Sequence, residues 1–458
     1  MARQSSPLLG RQAVLICQRA IAPVRACWHA LGGRSPRPGR WLLAALLLAV
    51  LLMAGVPQAL RQAPTASAPA SPPAELRGVW LTNVSSNVLF APWAINRAFR
   101  QLATLHFNTV YPVVWNRGHT FYPSDVSQRF TGRDQDPTLR LWRAGRDVLA
   151  EMTREGQHYG LRVIPWFEYG FMAPARSPLV RQHPHWLTQR QDGSQTVGDF
   201  EGAALELSGR SRESGWQRLR SHLGDRVVGQ RVWLNPLHPE VQDFILQLVL
   251  EVVTRYDHIA GIQLDDHFGL PVEFGYDPYT VARYQLDHGG ARPPRDPRDP
   301  EWVRWRADRL TAFMGRIAEA VHQARPGCIV SLSPNSQGFA YTAYLQDWST
   351  WVERGWVDEL VVQVYRRHLD AFLLELDQPA LQQAQAKIPV GVGILTGSWK
   401  KPVKMAQIEQ QVQAVRDRGL RGVSFFYWES LWSYLTPEAP RQRRAAFQTL
   451  FDPLEQAT

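Results

Sequence analysis

The run Gly261-Ile262-Gln263-Leu264-Asp265-Asp266-His267 governs how the rest of the chain is read. Gly261 to Leu264 has the length of a short buried strand, and alternation puts Ile262 and Leu264 on one face, Gln263 and Asp265 on the other. A strand that ends in two carboxylates and an imidazole suggests a parallel sheet with its chemistry at the C-terminal strand ends. Seven further short apolar runs accompany it: Gly78 to Thr82, Thr109 to Val114, Arg162 to Phe167, Ile329 to Ser333, Glu359 to Val364, Pro389 to Ile394 and Gly422 to Tyr427. Segments of helical period lie between them, including Ala94 to Leu105, Gly145 to Tyr159, Pro239 to Arg255, Trp302 to Ala324 and Met405 to Arg418. Eight alternating units fit a closed barrel better than an open sheet. The expected fold is therefore α/β, a (β/α)8 TIM-type barrel over residues 75–452. The stretch from Glu168 to Pro239 is far longer than an ordinary βα loop. It predicts an insertion after strand 3 that walls the mouth, with a hairpin-like turn at Gln191-Asp192-Gly193-Ser194 and a polar stretch from Ser208 to Arg226.

The formal charge of +10 is unevenly placed. Residues 1–61 carry eight Arg and no acid, so ten less eight leaves about +2 for the remainder, and no nucleic-acid partner is expected. Residues 1–40 read as a basic cytoplasmic leader. Residues 41–60 read as a signal peptide or membrane anchor: Trp41 to Val56 is uncharged and rich in Leu and Ala. That run is a little short of the ~20 residues of a spanning helix and a little long for a signal-peptide core. The small-residue pattern Ala66-Ser67-Ala68 is followed by Pro69, a poor residue after a cleavage site. The positive-inside rule puts everything after Pro57 outside the inner membrane, on the periplasmic or cell-surface side. Residues 61–74 have the Pro, Ala and Ser composition of a linker. Of three cysteines only Cys328 falls in the folded part, as a small buried residue at a strand start, so no intrachain disulfide is expected there. A monomer is expected.

The predicted strand ends are polar and aromatic. They include Trp80-Leu81-Thr82-Asn83, Trp115-Asn116-Arg117, Trp166-Phe167-Glu168-Tyr169, Ser333-Pro334-Asn335, Gln363-Val364-Tyr365-Arg366 and Tyr427-Trp428-Glu429. An isolated Asp-Asp is more often a helix cap or a loop ion pair. At a barrel strand end, with Glu168 and Glu429 on other strands, Asp265 and Asp266 suit glycoside cleavage, which needs one protonated and one ionised carboxyl. The expected assignment takes Asp265, inward by alternation, as the ionised nucleophile or base, and Glu429 as the proton donor. Asp266 and His267 tune Asp265, and Glu168 is held in reserve. Trp166 and Trp428 are placed to desolvate a neighbouring Glu and raise its pKa. Residues reaching across the mouth from strands 4 and 8 favour inversion, for which carboxyl groups stand ~6.5 to 9.5 Å apart. Trp80, Trp115, Trp166, Trp428 and Trp432 offer faces to sugar rings, and Asn83, Asn335, Gln363 and Arg366 offer hydrogen bonds. Trp142, Trp302 and Trp305 read as filler. There is no His-Glu-x-x-His, no His pair at i and i+4, and no Gly-rich dinucleotide or phosphate loop, so neither metal nor cofactor is expected.

Several motifs in order also carry a resemblance: Arg77 to Asn83, Trp115 to Gly118, Trp233 to Pro236 with His238 to Glu240, Gly261 to Phe268, Ser333 to Asn335, Gln363 to Arg366 and Phe425 to Trp432. Over about residues 75 to 435 the chain resembles the glycosyl-hydrolase-like 10 family, which includes a divisome-associated glycosidase acting on denuded peptidoglycan strands. The resemblance implies a barrel, glycan hydrolysis outside the cytoplasmic membrane and no required cofactor. Family motifs fall here on Asn83, Trp115, Arg117, Glu168, Asn235, Asp265, Asp266, His267, Asn335, Tyr365, Arg366 and Glu429. Ser85 and Ala260 stand where Asp is common, and a lipid-attachment Cys is absent. The leading expectation is a glycosidase acting on an envelope polysaccharide. The alternatives are a catalytically silent glycan-binding scaffold and a metal-dependent hydrolase.

Overall fold

The computed structural model describes residues 74–84, 86–197, 230–398, 401–432 and 436–452. The leader, the apolar run at 41–60, the linker except Ala74, Ser85 and the Ser208 to Arg226 stretch lie outside the described residues. Among those described, no helix is long and apolar enough to cross a membrane.

The core is one parallel sheet. Its strands are β1 (Leu76–Leu81), β2 (Thr109–Pro112), β3 (Arg162–Val163 and Trp166–Phe167), β4 (Gly261–Asp265), β5 (Ile329–Ser333), β6 (Glu359–Gln363), β7 (Val390–Leu395) and β8 (Gly422–Phe426). Neighbours run β3-β2-β1-β8-β7-β6-β5-β4-β3, so both ends of the sheet are halves of the same strand and the barrel closes on β3. The first half pairs with β2 and the second with β4, and Val113 also bridges Trp166 in parallel. The interruption falls at Ile164 and Pro165. Proline has no N–H for the ladder, yet its carbonyl still accepts from Gln263 N at 2.8 Å.

Each strand is followed by a helix: α1 (Ala94–Thr104), α2 (Val148–Tyr159), α3 (Pro239–Arg255), α4 (Pro300–Ala324), α5 (Trp348–Glu353), α6 (Pro379–Gln385), α7 (Met405–Asp417) and α8 (Pro440–Leu450). Their starts are written in the sequence. Pro239 and Pro300 sit in first turns, where a missing N–H costs nothing, and Asp299 caps α4 by accepting from Glu301 N and Trp302 N. Along α3, Val241, Phe244, Ile245, Leu248, Val249, Val252 and Val253 form one buried stripe.

The barrel interior is polar and continuous. Trp80 Nε1 donates to Gln263 Oε1 at 2.7 Å, and Gln263 Nε2 donates to Ser331 Oγ at 3.0 Å. Ser331 Oγ and Tyr111 OH both donate to Glu359 Oε1, while Arg162 pairs with Glu359 Oε2 at 3.3 Å. This chain of contacts bears out the alternation read from β4, with Gln263 inward and Ile262 and Leu264 buried under the helices. Space for Trp80 comes from β7: a Cβ added at Gly393 would lie 3.2 Å from the Trp80 ring.

The insertion after β3 forms a small antiparallel sheet of Met172–Pro174, Arg231–Trp233 and Thr196–Val197. The expected turn is present: Arg190 N donates to Ser194 O, and Gly193 takes a φ of 81°. The filler reading holds for Trp302 and Trp305, which are buried, but not for Trp142, which is 65% exposed at the end of a short surface helix. Cys328 is buried just before β5, and burial pushes its thiol up to about 11.

Candidate active site

The C-terminal ends of β1, β3, β4, β5 and β6 and the loop after β2 assemble one buried cluster. Glu168 lies just beyond β3, accepting from Asn116 Nδ2 at 2.6 Å and from Thr82 Oγ1 at 2.9 Å. Asn116 Nδ2 also reaches Asn83 Oδ1 at 2.8 Å, and the Arg117 charge acts on Glu168. On β4, Asp265 Oδ1 accepts from Gln363 Nε2 at 2.7 Å, and its Oδ2 stands 3.6 Å from His267 Nδ1. Asp266 is held separately, by His267 Nδ1 at 2.9 Å and by Asn335 Nδ2 at 2.9 Å. Tyr365 faces all three acids: burial, and then the charges of Asp265, Asp266 and Glu168, push its hydroxyl well above the usual range.

The electrostatics distribute the protons. Burial, and next the Asp266 charge, raise the Asp265 carboxyl well above its ordinary value. Burial would raise Asp266 as well, but the His267 charge and hydrogen bonds from His267, Asn335 and Asp265 outweigh it and hold Asp266 below its ordinary value. For His267, burial alone would favour the neutral ring. Asp266 and the hydrogen bonds to both aspartates reverse that and keep the imidazole protonated. The pair therefore shares one proton, carried on Asp265, with the charge on Asp266. This is the opposite of the order expected from sequence, which had Asp265 ionised. Burial lifts Glu168 to about 7, against the opposing hydrogen bonds of Thr82 and Asn116.

Glu429 stands apart. Its carboxyl meets the Ser86 hydroxyl and the Asn87 backbone on the loop after β1, and burial lifts it to about 7. Among the described residues its Oε2 is buried without a hydrogen-bond partner, and no acid of the cluster is among the charges acting on it.

Five predicted contact residues are placed otherwise. Trp80 is buried in the barrel interior, stacked on Tyr111 with its Nε1 spent on Gln263. Trp115 is fully buried, donating to Gly170 O and packing edge-on against Phe244, so no ring face is left for a ligand. Asn235 is buried and committed to Asp277, Thr280 and the Leu237 N–H. Arg366 is paired with Glu375 at 2.6 Å on the helix that follows it. Trp432 packs edge-on against Phe107 and Phe447 in the core. Trp428 is half-buried beside Trp432. Trp166 does lie in the mouth, its ring near Trp80 and Phe426 and its Nε1 buried without a partner.

Sequence reasoning did not single out Thr82, Asn116, Tyr169 or Trp233. Tyr169 and Trp233 flank the His267 ring at centroid distances of 5.6 and 6.0 Å. Thr82 could have been found by the alternation that turns Trp80 inward. The other three depend on how the loops and the insertion fold back. Two groups bring three possible metal donors within 4.8 Å among the described residues: Asp265, Asp266 and His267, and His183, His185 and Glu240.

The family model of the Glycosyl hydrolase-like 10 family matches residues 75–208 and 215–415. The chain belongs to the Glycosyl hydrolase-like 10 family. Within it, the glycosyl hydrolase DigH of Escherichia coli K12 is 27% identical over 328 residues, covering 63% of this chain. The match spans 65% of the length of that relative. The glycosyl hydrolase YngK of Bacillus subtilis is 21% identical over 332 residues, covering 64% of this chain and 54% of that one. Among solved structures, the PgaB (BpsB) glycoside hydrolase domain from Bordetella bronchiseptica superposes with a TM-score of 0.54 at 14% identity, covering 81% of this chain and 98% of that one. The catalytic domain of β-amylase from Paenibacillus polymyxa gives 0.54 at 10% identity, covering 84% and 98%. At such identities the likeness is one of fold: this chain shares the barrel of those two domains.

Proposed function

We propose that the protein is a glycosidase that hydrolyses an envelope polysaccharide, with peptidoglycan glycan strands as the substrate. One observation carries the reading: at the ends of adjacent strands a carboxyl pair shares one proton while a third carboxyl, Glu168, titrates near neutrality. In this scheme Asp265 passes its proton to the glycosidic oxygen as the C–O bond breaks. Glu168 takes a proton from the water that attacks the anomeric carbon, and solvent exchange restores both groups. Asp266, charged and fixed by His267 and Asn335, stabilises the positive charge that develops on the sugar. Trp166 Nε1 and Tyr365 are the donors available to sugar oxygens.

The basic leader and the apolar run at 41–60 support export, with the barrel anchored to the cytoplasmic membrane or released after cleavage. The test is to incubate the full chain with amide-free peptidoglycan strands and a panel of neutral polysaccharides, and to follow new reducing ends by mass spectrometry and NMR. Cleavage with the inverted anomer released first supports Glu168 as base, and a retained anomer makes it the nucleophile. No cleavage of any glycan sinks the glycosidase reading.

A further inference from the structure

The insertion and the start of α3 bring a second group of chemically able side chains together, outside the acid cluster. His183 and His185 flank Pro184 at the short 3-10 turn Pro184–Trp186, and Glu240 stands in the first turn of α3. One donor atom from each of the three lies within 4.8 Å of the others. His185 Nε2 is 3.1 Å from Glu240 Oε2. Neighbouring ligand atoms of a tetrahedral zinc ion, with bonds of about 2.0–2.1 Å, stand about 3.3 Å apart, so this pair already has the spacing of two ligands. Both side chains are more than half exposed, at 54% and 58%, which lets an ion reach them and lets them close on it.

The surroundings hold these groups in the form a metal takes. Phe130 O accepts from His183 Nε2 at 3.0 Å, so the neutral ring carries its lone pair on Nδ1, and the ring is fixed by stacking on Trp186 at 4.0 Å. A ring N–H tied to a backbone carbonyl is the usual support of a metal-ligating imidazole. Trp186 Nε1 donates to Glu240 Oε2 at 2.8 Å and orients the carboxylate. Hydrogen bonds from Trp186 and His185 keep Glu240 below its ordinary value, and burial lowers the His183 imidazole, so the first is charged and the second neutral at pH 7. An independent sign lies beside the trio. His238, the residue before α3, is buried, its Nδ1 has no hydrogen-bond partner among the described residues, and its ring stands 5.7 Å from that of His185. A buried polar atom left unpaired asks for a partner, and a cation held by the neighbouring side chains supplies one. The spacing hides the group in the sequence: the histidines are two apart, and the glutamate follows His185 by 55 residues.

Imidazole nitrogen with one carboxylate suits Zn²⁺ and its neighbours rather than Mg²⁺ or Ca²⁺, which take oxygen. We propose that His183, His185 and Glu240 bind a divalent ion with the ligand preferences of zinc, pinning the insertion to α3, with His238 as the fourth ligand. Asp265, Asp266 and Glu168 are not among the charges acting on His183, His238 or Glu240, so the ion serves the wall of the mouth and not the proton transfers. The test titrates the metal-free full chain with ZnCl2, followed by calorimetry and by melting temperature. One ion per chain is expected to bind with a Kd of about 10 μM or below, and to raise the melting temperature by at least about 2 °C at a hundredfold excess over Kd. Mg²⁺ should not bind. His185→Ala and Glu240→Gln should each weaken zinc at least about tenfold, and Glu240→Gln, which keeps an acceptor for Trp186, should melt like the wild type without metal. His238→Ala should weaken it comparably, and an unchanged Kd there overturns that residue's place in the set. Weaker binding in the wild type, equal binding of Mg²⁺, or zinc retained in His185→Ala and Glu240→Gln but lost in Asp266→Asn, overturns the site.

Discussion

Gln363 donates its side-chain amide to Asp265 at 2.7 Å, joining β6 to β4 over the end of β5 and leaving the adjacent Asp266 to His267 and Asn335. Two carboxyls side by side in sequence are thus given unlike surroundings, the condition under which one can hold a proton while the other holds a charge.

Asp265→Asn and Glu168→Gln are each expected to lower kcat by about 10³-fold or more, the scale of losing a group that moves a proton in the reaction. Glu429→Gln, outside the cluster, should cost less than about tenfold. Steady-state kinetics on a verified glycan decides. A Glu429→Gln defect as deep as that of Asp265→Asn returns the proton-donor role to β8.

The pH profile follows from Glu168. A base must be ionised, and a carboxyl raised to about 7 gains its charge only as pH climbs through that value. The acid-side limb of kcat/KM should therefore rise with a midpoint near pH 7. A rate that instead falls on passing pH 7 would identify Glu168 as the acid.

Stability should respond to Glu429 with the opposite sign. Its pKa is about 7 in the fold against an ordinary 4.5, so the folded state keeps the proton that the unfolded chain releases. Stability is highest below about pH 4.5 on this account, declines as pH rises to 7, and is flat above. Glu429→Gln removes that contribution. Melting temperatures at pH 5 and pH 8 should differ less in the variant than in the wild type, and an unchanged difference counts against burial as the cause.

Inside the barrel, Arg162→Ala strands the Glu359 carboxylate, which is nearly inaccessible and otherwise has, among the described residues, Tyr111 and Ser331 as partners. Removing one member of such a buried pair costs about 3–5 kcal/mol. Chemical denaturation should show it as a shifted midpoint, and a loss under about 1 kcal/mol would mean that water reaches Glu359.

Adding a chelator should leave turnover unchanged, because Asp265 holds a proton and the charges of Asp266 and His267 already balance one another. Activity abolished by the chelator and restored by a divalent ion would make that trio a metal site instead.

Where a side chain's fate was set by periodicity, the sequence was legible. Pro239–Arg255 and Ile329–Ser333 stand where their patterns ended them, and Asp265 faces inward because Gln263 does. Where the fate depended on a partner far along the chain, it was not. Nothing near Glu429 announces that Ser86 and Asn87 close over it, and even for Arg366 the pairing with Glu375, nine residues on, depends on how the intervening loop turns. The order of protonation within the Asp265 and Asp266 pair was hidden for the same reason, since Asn335 and Gln363 arrive from two other strands.

The contact between Gly393 and Trp80 has a consequence for descent. The edge of an indole stands 3.2 Å from where a side chain on β7 would start, so any residue larger than glycine at 393 makes Trp80 give by a few tenths of an ångström. A lineage that acquires Ala at 393 must either shift the Trp80 ring by that much, against its hydrogen bond to Gln263, or trade the indole for something smaller. Across homologues the two sites should therefore change together, and a glycine without an indole opposite it would mark a barrel whose interior has been rebuilt.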